Sequence, residues 1–416
     1  MTNDQAKVYL VTFLCIVAAH SSREGWWMVK GEIHTTQGYS SIQLGIMDST
    51  FLFLYSMGYF ASGVLADKYS PSTVLTASML ASMGAFCGIS FLGLASVKSF
   101  WLFLCLWAVE GIAQGCILTI AVGIVANWFL ESRAQVLGFW GANASLGNIV
   151  GEWVAAILHE DLGFDWEWVV MITSCFMGVM GLCVHFLVSD YPPKAFSSED
   201  SLLLKDQIKK PCKVGFWESW LLPGVACCAI SYSGAKLLNY GFFMWLPYYL
   251  QTHYKMGLNK VGVLTSLYDL GGIAGSVLGG HLCQLTFLRS GVVGLFLGLA
   301  VPFVVFFQYV GLEEAWMFFL IVPATGFMIG GSCNLISTVV AADLSRGESS
   351  QPKTTVIGII NGSGSLGAAL GQGVIGSLQS VSWSAVFCFM VIVNLVTALS
   401  TLPNVISESK KKYPFS

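Results

Sequence analysis

Windows of about 20 mainly apolar residues recur along the whole of this 416-residue chain, and each can cross a hydrocarbon core about 30 Å thick. No other feature constrains the fold as strongly. In lipid every backbone amide needs an internal partner, which leaves only helices and closed barrels. A barrel reads as alternating segments of about 10 residues, whereas these runs are longer and apolar on all sides. Charged residues make up only 10% of the chain, against about 25% in soluble proteins. The sequence therefore specifies an all-α polytopic membrane protein.

Twelve spans are expected, near 7–29, 42–66, 73–95, 98–127, 133–158, 167–189, 217–250, 258–285, 289–308, 315–342, 353–379 and 382–404. One long polar interruption divides them six and six. The expected organisation is an N-terminal six-helix bundle (1–189), a linker (190–216), a C-terminal six-helix bundle (217–405) and a basic tail (406–416) that contains Lys410, Lys411 and Lys412. The first run carries a charged pair and lacks a small-residue cleavage site, so it reads as a retained span.

The halves repeat one another. Gly138, Gly147 and Gly151 match Gly358, Gly367 and Gly371 at an offset of 220. Gly111 and Gly115 match Gly326 and Gly330 at 215, and Gly58 and Gly63 match Gly275 and Gly280 at 217. Small residues at such positions let helix backbones approach closely. Lys and Arg number 14 on the side holding both termini and the linker, against Lys30, Lys98, Lys255 and Lys260 on the other. Both termini are therefore expected in the cytoplasm.

Two cations fall on neither side: Arg23 in the first span and Lys236 in the seventh. Aligning those spans at an offset of 213 makes Arg23 and Lys236 repeat equivalents. A cation at mid-membrane costs about 2.5–3.5 kcal/mol on insertion scales. Two such residues at equivalent places point to a shared anionic ligand near the midplane, where duplicated transporters bind substrate. Arg presents a planar fork to phosphate or carboxylate, and Lys a mobile point charge. Phosphate near −2 would balance both. Tyr240, one turn after Lys236, shares its face and is a further candidate, as are Asn143 in the fifth span and Lys30. Glu110, Asp48 and Asp269 are candidates for coupling or gating, since a carboxylate aimed at phosphate would repel it. Trp26 and Trp27 read as interfacial anchors.

The sequence offers no other chemistry. The 12 Cys are scattered without a metal-ligand spacing, and no cofactor or metal is expected. The six His show no pairing of nucleophile and base, so an enzyme is not expected. No nucleotide-binding motif is present and nucleic acid is not an expected partner; the expected partners are small anions and the lipid bilayer.

The loop after the second span, GVLADK (Gly63, Asp67, Lys68), resembles that of the major facilitator superfamily. Ser22-Arg23 with Val29-Lys30, KLLNYGFFMWLPYYL from Lys236, LTSLYDLGGIAGSVLGG (264–280), VAADL (340–344) and INGSGSLGAALG (360–371) resemble the sugar-phosphate/phosphate exchangers of solute carrier family 37. The resemblance implies a major facilitator fold of two pseudo-symmetric six-helix halves. It also implies exchange of inorganic phosphate for organophosphates such as a sugar phosphate or glycerol 3-phosphate, and an endoplasmic reticulum membrane location. It maps the family's phosphate-binding cations onto Arg23 and Lys236. Three departures alter the wall that would read the organic part: Glu24 where the family has Lys, Gly115-Cys116-Ile117 where it has Gly-Trp-Pro, and Asn143 where related exchangers often have His. Two other functions fit the same residues: a proton-coupled carboxylate symporter using Glu110, and a transport-dead sensor or scaffold.

Overall fold

The structure is a computed structural model that describes residues 2–129, 140–192, 216–311, 313–337 and 353–412. These residues are helical almost throughout, and among them there is no strand. In chain order the helices are α1 (Asn3–Met28), α2 (Lys30–Gln37), α3 (Ser41–Lys68), α4 (Pro71–Leu94), α5 (Phe100–Trp128), α6 (Asn143–Ala156) and α7 (Trp166–Leu187). There follow α8 (Val225–Thr252), α9 (Leu258–Thr286), α10 (Arg289–Phe306), α11 (Ala315–Leu335), α12 (Lys353–Gln379), α13 (Trp383–Ser400) and α14 (Leu402–Lys412).

Seven described helices are long and apolar enough to cross a membrane by length and composition: α4, α5, α7, α9, α10, α11 and α13 with its continuation to Lys410. Four more, α1, α3, α8 and α12, run 26 to 28 residues. At 1.5 Å per residue each exceeds the hydrocarbon thickness. With α6, which continues into a π-helical turn over Ile157–Asp161, they follow the order of the expected spans. The basic tail begins as helix α14, and the expected linker lies mostly outside the described residues.

Local chemistry explains the helix ends. Thr2 and Gln5 form a reciprocal capping box at the start of α1, the Gln5 amide donating to Thr2 Oγ1 at 3.2 Å and the Thr2 amide to Gln5 Oε1 at 2.9 Å. Ser70 caps α4 ahead of Pro71, which needs no amide donor at the first helical position.

The chain divides into two compact units. The first comprises Met1–Val29 with Phe53–Pro211, and the second Lys30–Leu52 with Cys212–Ser416. The expected halves assign 30–52 to the first bundle; the contacts group this corner with the second unit. Close packing is the reason. A Cβ on Gly45 would stand 2.9 Å from both the Gln372 carbonyl and Gly376 Cα of α12, so α3 and α12 touch through bare backbone. Ser41 Oγ also lies 3.5 Å from Tyr248 Oη on α8.

Within each unit some of the glycines identified from sequence mark similar close approaches. In the first, Gly58 of α3 meets Gly115 and the Ile112 carbonyl of α5. In the second, Gly275 of α9 meets the Phe327 carbonyl of α11, while Gly330 meets Gly272. Phe327 is Ile112 plus 215 and Gly275 is Gly58 plus 217, so the repeat extends to single contacts. A Cβ at Gly58, Gly115 or Gly275 would enter the neighbouring backbone, which accounts for glycine there.

Candidate functional site

Arg23 lies in the penultimate turn of α1 and is only 3% exposed. Its Nη2 is 2.8 Å from His20 Nδ1, one turn earlier on the same face. The guanidinium carbon stands 5.9 Å from the Trp27 ring centre and 5.6 Å from that of Tyr55, within cation–π range of both. His20 Nδ1 is also 2.8 Å from Asn148 Oδ1 on α6. The helix α1 packs against α5, α6 and α7, so these residues belong to the core of the first unit.

Lys236 lies near the middle of α8 and is 8% exposed. Its Nζ donates to Ser365 Oγ of α12 at 2.8 Å, and Ser365 in turn donates to the Asn361 carbonyl at 3.2 Å. Tyr232 and Tyr240, one turn to either side on α8, place ring centres 5.6 and 5.7 Å from Nζ. The expected shared face of Lys236 and Tyr240 is therefore realised.

The packing register corrects the expected equivalence of the two cations. Gly147 and Gly151 of α6 press on Val17 and Ser21 of α1, whereas Gly367 and Gly371 of α12 press on Ser233 and Leu237 of α8. That register is 216, not 213. It pairs Lys236 with His20, and Arg23 with Asn239. The two cations sit about one helical turn apart in the repeat, and the place of Lys236 is taken in the first unit by a histidine.

Lys30 is fully buried and forms an ion pair with Asp48. Its Nζ also lies 3.3 Å from the Met244 carbonyl and 3.8 Å from the Trp245 ring centre on α8. Although Lys30 counts among the loop cations in the sequence, α2 starts at Lys30 and turns its first residue inward. The expected interfacial role of the two tryptophans is also corrected. Both are buried, and Trp26 packs with its ring centre 4.6 Å from that of Trp107 and 6.4 Å from that of Trp166.

Glu110 is fully buried in α5. Ser82 Oγ of α4 donates to its Oε2 at 2.6 Å, Gln114 Nε2 donates to its Oε1, and the Arg23 charge acts on it electrostatically. Gln114 also donates to Ser22 Oγ at 3.3 Å, which ties α5 to the turn carrying Arg23. Asn143 is buried at the start of α6, and Asp269 is buried in α9. Gly63 and Asp67 belong to α3; the Asp67 side chain lies outside the described residues, and Lys68 ends the helix exposed, 5.4 Å from the Tyr69 ring centre. Among the described residues no His, Cys, Asp and Glu cluster suits a metal ion.

Sequence reasoning did not single out His20, Asn148, Ser365, Ser82 or Gln114. The spacing of His20 three residues before Arg23 was the one available signal, because residues three apart on a helix are neighbours. The others come from different helices and carry no such mark.

The sequence profile of the Major Facilitator Superfamily matches residues 12–351. Sugar phosphate exchanger 3 of Xenopus laevis is 32% identical, over 89% of this chain and 80% of its own. Putative glycerol-3-phosphate transporter 2 of Arabidopsis thaliana is 30% identical, over 98% of this chain and 87% of its own. Two solved structures share the fold. A bacterial homolog of the human lysosomal transporter Spinster, inward-facing and unoccupied, aligns at a TM-score of 0.73 and 14% identity, covering 98% of this chain and 95% of its own. A D-xylose-proton symporter aligns at 0.74 and 11%, covering 95% and 96%. These relatives are transporters, not enzymes. The chain is a multi-pass membrane transporter that belongs to the major facilitator superfamily and, within it, to solute carrier family 37.

Proposed function

We propose that this transporter exchanges inorganic phosphate for a phosphorylated sugar or glycerol 3-phosphate by alternating access, with Arg23 and Lys236 as its phosphate-binding cations. The names of its relatives support an organophosphate substrate. The observation that carries the reading is the burial of two cations on membrane-spanning helices, Arg23 at 3% exposure and Lys236 at 8%. Arg23 bonds His20 and lies against the Tyr55 ring, and Lys236 bonds Ser365 and lies against the Tyr240 ring, so each cation is held in a fixed place inside its unit. Obligate exchange follows if the empty carrier, with two cations not neutralised by ligand, crosses its occluded state with difficulty. Tyr240, beside Lys236, supplies a hydroxyl suited to a phosphate oxygen, and Asn143 supplies an amide for the organic part. Asp48 and Asp269 act in gating, and Lys30, paired with Asp48, is a further candidate for contact with the anion. The cation count of the loops supports cytoplasmic termini, and family membership supports the endoplasmic reticulum membrane.

The test is uptake of labelled phosphate into proteoliposomes holding purified protein, either preloaded with phosphate or empty. Exchange requires uptake in preloaded vesicles alone, with inhibition by a sugar phosphate. Equal uptake into empty vesicles, driven by a pH gradient, would instead support the proton-coupled symporter. The buried carboxyl of Glu110, held by Ser82 and Gln114, is the observation that favours that second reading.

A further inference from the structure

We propose that His20 is the positioning residue of the anion site: neutral, seated against Gly147, it accepts a hydrogen bond from Arg23 and fixes the plane of the guanidinium. The inference rests on the reading of Arg23 as a phosphate-binding cation. Arg has donors only, so the 2.8 Å contact of Nη2 with His20 Nδ1 requires Nδ1 as acceptor and places the ring proton on Nε2. Asn148 lies 2.8 Å from the same Nδ1; beside an unprotonated ring nitrogen its amide must turn the NH2 group and not the oxygen to the ring, and it then shares the single Nδ1 lone pair with Arg23. The histidine Cβ is itself fixed, since it stands against Gly147 of α6, where a Cβ would come within 2.6 Å of it.

A second observation places His20 at the site. In the packing register of the two units His20 occupies the position that Lys236 occupies in the other half. The second half puts a cation there, and the first half puts an acceptor that holds a cation from the next turn. Recognition by Arg depends on the orientation of a planar fork. A guanidinium already held in its binding plane loses less rotamer freedom on taking phosphate. His20 therefore acts on affinity and not on the rate of the loaded carrier.

The test compares His20→Leu, His20→Ala and His20→Asn in phosphate-loaded proteoliposomes. Leu keeps the bulk and removes the acceptor; Asn keeps an acceptor near the position of Nδ1 and removes the bulk. The expected result is an apparent KM for phosphate raised about tenfold in His20→Leu and His20→Ala, the scale of a charge-assisted hydrogen bond. Maximal rate should stay within about twofold, and His20→Asn should return KM to within about threefold of wild type. A His20→Leu variant with wild-type KM, or a His20→Asn variant as impaired as His20→Leu, overturns the proposal. Should His20→Leu fail to fold by thermal unfolding, His20→Ala reads the same contact, and an unchanged KM there also overturns it. Arg23→Ala runs alongside to separate the failures. Wild-type exchange in Arg23→Ala overturns the anion reading itself, whereas an inactive Arg23→Ala beside an unaffected His20→Leu overturns only the positioning role.

Discussion

Lys30 and Asp48, 18 residues apart in the chain, form an ion pair with essentially no exposure to solvent. The Lys30 ammonium also reaches the Met244 carbonyl and the face of Trp245. Two charges withdrawn from water are held here by each other and by α8. Breaking a buried pair leaves one uncompensated charge, which costs about 3–5 kcal/mol, whereas replacing both partners by apolar groups is often neutral. Lys30→Met and Asp48→Leu should each lower the thermal unfolding temperature of purified protein, and the double variant should recover most of the loss. A double variant as unstable as the sum of the singles would contradict the pairing.

Glu110 accepts from Ser82 and Gln114 inside the first unit. Glu110→Gln preserves an oxygen for Gln114 and an NH2 group toward the Ser82 hydroxyl, which can accept as well as donate. It should fold and retain phosphate exchange. Glu110→Leu takes the carboxylate acceptor from two buried donors, Ser82 and Gln114, at a cost of about 1–3 kcal/mol, and should unfold at lower temperature. Loss of exchange in a stable Glu110→Gln would move the account to the proton-coupled reading.

Ser365 bonds Lys236 at 2.8 Å. Its removal in Ser365→Ala should weaken apparent phosphate affinity severalfold, in line with the loss of a hydrogen bond to a charged group. Maximal rate should change less than KM. An unchanged KM would show that Ser365 does not orient Lys236 for the anion.

Gly115 faces the Tyr55 carbonyl and Gly58 Cα across the contact of α3 and α5. Gly115→Ala should therefore force these backbones apart and destabilise the protein. The control is Gly123→Ala in the same helix, where a Cβ meets nothing within 4 Å. Alanine there should be neutral or stabilising by up to about 1 kcal/mol. Thermal unfolding of the two variants checks the contrast; equal effects would contradict the close approach.

The helical architecture, the duplication and the two buried cations were legible in the sequence because each leaves a mark on composition. Apolar runs declare spans, glycines declare the points where backbones touch, and a cation inside an apolar run declares itself. What failed either lacks such a mark or was aligned on a different one. The first and seventh spans share one glycine at the packing register of 216, Gly25 with Gly241, and an alignment on the two cations at 213 passes over it. That register was supplied by glycines on α6 and α12, the helices that press on them. The partner of Lys30 was hidden because the corner between α2 and α3 folds Asp48 back over 18 residues. Aromatic residues near a span end are ambiguous between the interface and a core; for Trp26 contact with Trp107 and Trp166 decides for the core, and for Trp27 its burial does.

The central claim is that the guanidinium of Arg23 binds phosphate. Counterflow of labelled phosphate in phosphate-loaded proteoliposomes, compared among wild type, Arg23→Lys and Arg23→Ala at equal folded protein, tests it most directly. The account predicts no counterflow in Arg23→Ala and reduced affinity in Arg23→Lys, which keeps the charge and loses the fork. Counterflow in Arg23→Ala at the wild-type rate and affinity would contradict it.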